Sequence, residues 1–122
     1  MNFNQYTIQT QEVLNSASLI AAENGQQAIE PGHLLLAVLD ANENVFGFIS
    51  KKLGASPTQI KLETQKLISS YPKVQGSKPY LSNDSASVLQ KAELEAKRLG
   101  DEYVTLEHVL LALILVTGRI AE

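Results

Sequence analysis

The fold is decided by the stretch Ile29-Glu-Pro-Gly-His-Leu-Leu-Leu-Ala-Val38, because a variant of it, Val104-Thr-Leu-Glu-His-Val-Leu-Leu-Ala-Leu113, returns 75 residues later. The match extends without a gap, so that Val13 to Leu39 aligns with Val88 to Ile114. Ten of the 27 aligned pairs are identical: Val13/Val88, Leu14/Leu89, Ala17/Ala92, Leu19/Leu94, Ala21/Ala96, Gly25/Gly100, His33/His108, Leu35/Leu110, Leu36/Leu111 and Ala37/Ala112. The sequence therefore predicts one helical unit used twice, in a pseudo-two-fold body that presents surfaces to partners.

Length and composition indicate a single all-α domain over residues 1–122. Apolar residues make up 44% of the 122-residue chain and charged residues 19%, which is globular composition. The absence of cysteine excludes disulfides, thiolate zinc sites and a cysteine nucleophile. A net charge of −3 argues against binding to nucleic acid or an anionic membrane. Without a signal-peptide pattern or a membrane-spanning run, the expected compartment is the cytoplasm.

The first helix of each unit carries start and stop signals. Thr7 is the predicted N-cap of the first, and Ser82, 75 residues on, is its counterpart. Gly25 and Gly100 are predicted to end the two helices in a left-handed turn. Apolar residues at three- and four-residue spacing predict the buried faces: Val13, Leu14, Ala17, Ile20 and Ala21 in the first helix, and Val88, Leu89, Ala92, Leu94, Ala96 and Leu99 in the second.

The second helix of each unit is apolar on all sides. One begins with Pro31 and runs to Leu39, and the other follows Thr105 and runs to Leu115. A helix without a polar side has to be enclosed, so both are predicted to form the centre of the domain. Leu35 and Leu110 occupy matched positions in them and are expected to be equally buried.

The remaining segments complete the first unit but not the second. Val45–Leu53, ended by Gly54, is a predicted short helix, and Ser56-Pro57 begins another with Ile60, Leu62, Leu67 and Ile68 as its apolar residues. Repeat one thus covers about residues 7–70, a connector with two prolines covers 71–81, and repeat two covers 82–122. Because repeat two has no counterpart of Val45–Ser70, we expect either a fragment of a longer chain or an open apolar face at Val109, Leu113 and Val116. Such a face would favour self-association.

Several polar residues could carry chemistry. The matched His33 and His108 could form a two-histidine metal site, or each could cap and pack against its own helix. Glu107 and the pair Asp101 and Glu102 could be catalytic carboxylates, or could complement the dipole at a helix start. No further ligand or nucleophile accompanies either set, so the sequence favours the structural role in both cases, with no catalytic residue, cofactor or metal.

These residues resemble the N-terminal domain of the Clp (Hsp100) ATPases, which is built of two helical repeats. The resemblance rests on Ile29–Val38 and Val104–Leu113, which are similar to the paired "EHLL" helices of that family, and it covers the whole chain. The connector, with Tyr71-Pro-Lys-Val-Gln-Gly76 and Pro79-Tyr-Leu-Ser82, looks more like the disaggregase branch of the family than its protease-associated branches.

The resemblance implies an accessory domain of a hexameric ATP-driven unfoldase. It would capture unfolded or aggregated protein and pass it to the ATPase ring, and the alternative is docking of adaptor proteins, as in the protease-associated branches. No G-x-x-x-x-G-K-[ST] phosphate loop occurs in the sequence, so this chain by itself is not expected to be an enzyme.

The resemblance also implies candidate substrate-binding residues. A threonine near the start, an acid after the glycine that ends the first helix of repeat two, and the glutamate that opens the next helix match Thr7, Asp101 and Glu107. The main role of Thr7 could also be the helix cap described above.

The sequence departs from the family at two places. Leucines that form a substrate groove in some members correspond to Lys91, Glu95 and His108, which are polar. Because Leu94 is nearby, Leu94, Glu95 and His108 are further candidate substrate-binding residues. Other members recognise phosphorylated arginine with one glutamate in each repeat, and here these positions hold Gly32 and Glu107. The second departure breaks the symmetric pair, which weakens that interpretation.

Overall fold

The computed structural model describes residues 5–41, 47, 51, 54, 56–74 and 78–117. Within them the chain is all-α apart from two very short strands, which confirms the predicted fold class. The helices are α1 (Ile8–Glu23), α2 (Pro31–Ala41), α3 (Pro57–Ser70), α4 (Asn83–Arg98) and α5 (Leu106–Thr117), and the strands are β1 (Ala28–Ile29) and β2 (Tyr80–Leu81).

The predicted caps position the helices. The Thr10 amide donates to Thr7 Oγ1 at the start of α1 (3.2 Å), and the Ser85 amide donates to Ser82 Oγ at the start of α4 (3.1 Å). Gly25 and Gly100 follow the same two helices with φ of 67° and 77°, a region that side chains with a Cβ rarely enter. The start and stop signals read from the sequence are therefore confirmed in both repeats.

The core lies where the two repeats meet. Helix α1 packs on α2, α4 packs on α5, and α2 contacts α5 across the pseudo-two-fold axis. Fully buried residues come in matched pairs from both repeats: Ala17 and Ala92, Leu34 and Val109, and Val38 and Leu113. The repeat in the sequence is thus a repeat in the core.

Two short backbone pairings cross between the repeats, and the sequence did not predict either. Strand β1 pairs with β2 in parallel, and Tyr6 forms a parallel bridge with Val104. In each case the residues before the second helix of one repeat pair with the residues before the first helix of the other. This exchange places the start of α1 beside the start of α5.

Several predicted core positions prove to be exposed. Leu94 of α4 and Leu99, the residue that follows α4, are each 58% exposed, and Leu62 and Leu67 of α3 are also on the surface. Their helices bury a narrower stripe than the apolar residues suggest, because only one side of each packs on a neighbour. In α3 that side is Ile60, Thr64 and Ile68, at a spacing of four residues.

The central helices are less equivalent than predicted. Leu110 is buried, but Leu35 is only partly buried at the edge of the core. Leu115 is 47% exposed, so α5 is not enclosed on all sides. The expected open face is wrong at Val109 and Leu113, because both residues are buried where α2 and α4 contact α5, and Val116 is partly buried against the same core.

Some predictions fall outside the described residues. The helix predicted over Val45–Leu53 lies almost entirely there, although its terminating Gly54 has the expected positive φ of 66°. The boundaries of the repeats stay predictions. No described helix is long and apolar enough to cross a membrane.

Candidate functional site

Three of the candidate residues come together at the start of α5. The Thr7 amide donates to the Val104 carbonyl (3.0 Å), and the Val104 amide donates to the Gln5 carbonyl (2.8 Å). These bonds hold the N-cap of α1 against the loop that carries Asp101 and leads to Glu107. Residues that are about a hundred positions apart in the sequence thereby share one surface.

This surface is a groove of about 640 Å³, which we call the α5 groove. It is lined by Thr7, Leu99, Asp101, Glu102, Tyr103, Thr105, Glu107, His108 and Leu111. Three of these residues are acidic, and none of the described lining residues is Lys or Arg. Leu99 and Tyr103 are at least half exposed, so the groove combines negative charge with accessible apolar surface.

His108 fixes Asp101 within the groove. Its Nδ1 accepts the Thr105 amide (2.9 Å), so the ring proton lies on Nε2, which donates to Asp101 Oδ2 (2.8 Å). The side chain of Asp101 remains half exposed, while that of His108 is buried. The carboxylate is therefore held in place from below and faces solvent above, where it can only accept hydrogen bonds or pair with a cation.

A second groove of about 510 Å³ lies on the other side of Asp101 and Glu102. Leu94 lines it together with Gln5, Gln90, Glu93, Ala96, Lys97, Asp101, Glu102 and Val104. Beneath it, burial and the neighbouring Glu93 carboxylate raise the pKa of Tyr6. The two grooves share Asp101 and Glu102, so they form one surface with Leu94 at one end and Glu107 at the other.

The candidate residue Glu95 lines neither groove. Its side chain is buried, and it accepts bonds from Arg98 Nε (3.2 Å) and Nη2 (2.7 Å), while Lys91 Nζ lies 3.5 Å from its other oxygen. The hydrogen bonds from Arg98 lower the pKa of Glu95. Both carboxylate oxygens of Glu95 therefore already pair with cations of the same helix, so Glu95 stabilises α4 and is not available to a ligand in either groove.

His33 and His108 each cap their own helix. His33 Nδ1 accepts a hydrogen bond from the Glu30 amide (2.9 Å), just as His108 Nδ1 accepts one from the Thr105 amide. On the other side of the ring, His33 Nε2 donates to Gln26 Oε1 (2.6 Å). Burial lowers the pKa of His33 to about 4. In the part of the chain that the structure describes, no group of three or more His, Asp or Glu side chains could hold a metal ion.

Several residues that line the two grooves are not among the predicted site residues, namely Leu99 and Tyr103, together with Leu111 and Glu93. Leu99 continues an apolar stripe, and that pattern predicts a core position for it. One signal was present: Leu19, the counterpart of the exposed Leu94, is itself 62% exposed. Leu19 and Leu94 are identical in the two repeats and both lie on the surface, so identity between the repeats at an apolar position does not by itself indicate burial.

Comparison with known proteins supports the repeat architecture. The family model of the Clp repeat N-terminal domain matches residues 5–121. The chaperone protein ClpB of Bacteroides thetaiotaomicron is 49% identical over 121 residues, which are 99% of this chain and 14% of the relative. ClpB of Porphyromonas gingivalis is 46% identical over 114 residues, which are 93% of this chain and 13% of the relative. The chain thus spans about a seventh of the length of these relatives.

Solved structures show the same fold at low sequence identity. The Hsp104 N-terminal domain of Candida albicans superposes with a TM-score of 0.81 at 18% identity, covering 97% of this chain and 83% of that one. The N-terminal domain of the ClpV1 ATPase from Escherichia coli gives 0.83 at 18% identity, covering 98% and 73%.

Proposed function

The chain belongs to the family of Clp repeat N-terminal domains, and we propose that it captures unfolded or aggregated polypeptide for a ClpB-type disaggregase in the cytoplasm. In this role it binds a client segment and passes it to the ATPase ring, without performing chemistry itself. The similarity to ClpB along 99% of the chain supports the branch of the family.

The observation that carries the proposal is the composition of the α5 groove. An unfolded segment exposes apolar side chains and unpaired backbone amides, and both have complements here. Leu99 and Tyr103 offer apolar contact, while Asp101 and Glu107 offer acceptors for backbone N–H groups or for Lys and Arg. The acidic lining favours client segments in which apolar and basic residues alternate.

Binding should be weak and dependent on salt. The groove is open and its charges are largely solvated, so salt at physiological concentration screens part of the attraction. Weak capture also suits a domain that has to release its client to another part of the same assembly.

A titration followed by chemical-shift changes tests the proposal, with reduced and carboxymethylated α-lactalbumin as the unfolded client. Perturbed amides should cluster at Thr7, Asp101 and Glu107, and the shifts should shrink as salt is raised. The variants Asp101→Asn and Glu107→Gln should each weaken binding several-fold, whereas Glu23→Gln, an exposed acid on α1, should not change it.

Shifts confined to other surfaces, or equal affinity of all three variants, would refute the assignment of this groove. Binding of a folded adaptor protein without any binding of the unfolded client would instead favour the adaptor-docking role of the protease-associated branches.

A further inference from the structure

The α5 groove has a counterpart in repeat one. A shift of 75 residues relates Thr7 to Ser82, Asp101 to Gln26, Glu107 to Gly32 and His108 to His33. The backbone bond that joins the two sides is repeated as well, because the Ser82 amide donates to the Ile29 carbonyl (3.1 Å) as Thr7 does to Val104. The frame of a second groove therefore exists at the start of α2.

Tyr71 fills this second frame. Its ring lies 5.3 Å from the His33 ring, centroid to centroid, and its hydroxyl oxygen accepts the Gly32 amide (3.2 Å). A Cβ on residue 32 would lie 2.7 Å from that oxygen, so the close approach of Tyr71 depends on Gly32. Gly32 is buried, whereas its counterpart Glu107 is exposed; His33 and its counterpart His108 are both buried.

The side chain of Gln26 holds the segment that carries Tyr71, through hydrogen bonds to the backbone of that segment. The side-chain Nε2 of Gln26 donates to the carbonyls of Ile68 (2.6 Å) and Tyr71 (3.4 Å), and its Oε1 accepts a hydrogen bond from His33 Nε2. Its counterpart Asp101 is a carboxylate that cannot donate to carbonyls. The repeats thus differ at two positions that matter here. In repeat one, Gln26 and Gly32 allow Tyr71 to close the site, and in repeat two the same positions hold Asp101 and Glu107 and the site is open.

We propose that repeat one carries a second polypeptide-binding site at the start of α2, and that Tyr71 closes it as an internal occupant. The native domain then binds client at a single site, and the proposal rests on the proposed function of the α5 groove. Burial raises the pKa of Tyr71, and so do the nearby charges of Glu30 and Asp84. The hydrogen bond from the Gly32 amide acts in the opposite direction but is weaker than burial. These two carboxylates would give the opened site a preference for the same basic and apolar segments.

Removal of the ring tests the proposal. A short synthetic peptide of alternating lysine and phenylalanine is titrated into the wild type and into Tyr71→Ala, and calorimetry gives the number of bound peptides per domain. The wild type should bind one peptide and Tyr71→Ala two, with new chemical-shift changes at Gly32, His33 and Ser82. Tyr71→Phe keeps the ring and should stay at one peptide.

A second variant guards against loss of structure. Gly32→Ala displaces Tyr71 from the helix start without removing it, so it should also expose the site, and thermal melting shows that each variant is folded. One peptide in both folded opening variants overturns the inference and leaves the proposed function intact. Binding only at Gly32 and Ser82 in Tyr71→Ala, with none in the wild type, refutes the α5 groove and supports the closed site. No binding to any of the proteins overturns both.

Discussion

Acidification should destabilise this domain through His33. The ring is fully buried between Gln26 and Tyr71, and burial lowers its pKa from 6.5 to about 4. Because the folded protein holds the neutral form, the contribution to stability is complete above the unfolded pKa and is lost as the pH falls below 6.5. At about pH 5 the solution is roughly 1.5 pH units below the unfolded pKa, and each unit lowers the free energy of unfolding by about 1.4 kcal/mol. We therefore expect the domain to lose about 2 kcal/mol of stability between about pH 7.5 and about pH 5.

Urea unfolding at the two pH values measures this loss, and His33→Gln separates it from the titration of other groups. The variant removes the titrating ring, so its pH-dependent loss should be smaller than that of the wild type by about 2 kcal/mol. Titration of the ring protons by nuclear magnetic resonance gives the pKa directly. Equal losses in the two proteins, or a His33 pKa near 6.5, would refute the argument from burial. In Tyr71→Ala, which uncovers the ring, the pKa should rise toward 6.5.

Two further predictions concern stability. Leu110→Ala should cost about 2–5 kcal/mol in urea unfolding, and Leu35→Ala less, because Leu110 is enclosed in the core and Leu35 only borders it; equal costs would contradict the difference in burial. Thr7→Ala should cost about 1 kcal/mol through loss of the cap on α1, and Ser82→Ala a similar amount at α4. If Thr7→Ala also weakens client binding while Ser82→Ala does not, Thr7 acts both as a cap and in the α5 groove.

The fold could be predicted from the sequence because its signals are local and occur twice. Caps at Thr7 and Ser82, glycines at the ends of α1 and α4, and the two apolar helices each follow from residues within a few positions of one another. The duplication added the one piece of long-range information, that the two units pack as equivalents.

The crossing between the repeats could not be predicted in this way. The pairing of β1 with β2 involves only two residues in each strand, too few to produce an alternating pattern. The exposure of Leu94 and Leu99 does not follow from the sequence either, because the apolar character of a residue does not show how wide the contact between its helix and the neighbouring helix is. The α5 groove depends on the single Tyr6–Val104 bridge and on the exposure of Leu99, so its residues could be selected as a site only through resemblance to a family.

The duplication also explains why the two histidines have different surroundings. Both rings accept an amide at Nδ1 and donate from Nε2, so both are held in the same tautomer by the start of their own helix. The difference lies in the acceptor of the second bond, an amide oxygen at Gln26 and a carboxylate at Asp101. Gln26 has donors left over to bind the chain's own carbonyls, whereas Asp101 presents negative charge to solvent. Together with the exchange of Gly32 for Glu107, this substitution separates a closed structural contact in repeat one from the open surface in repeat two that we propose as the client site.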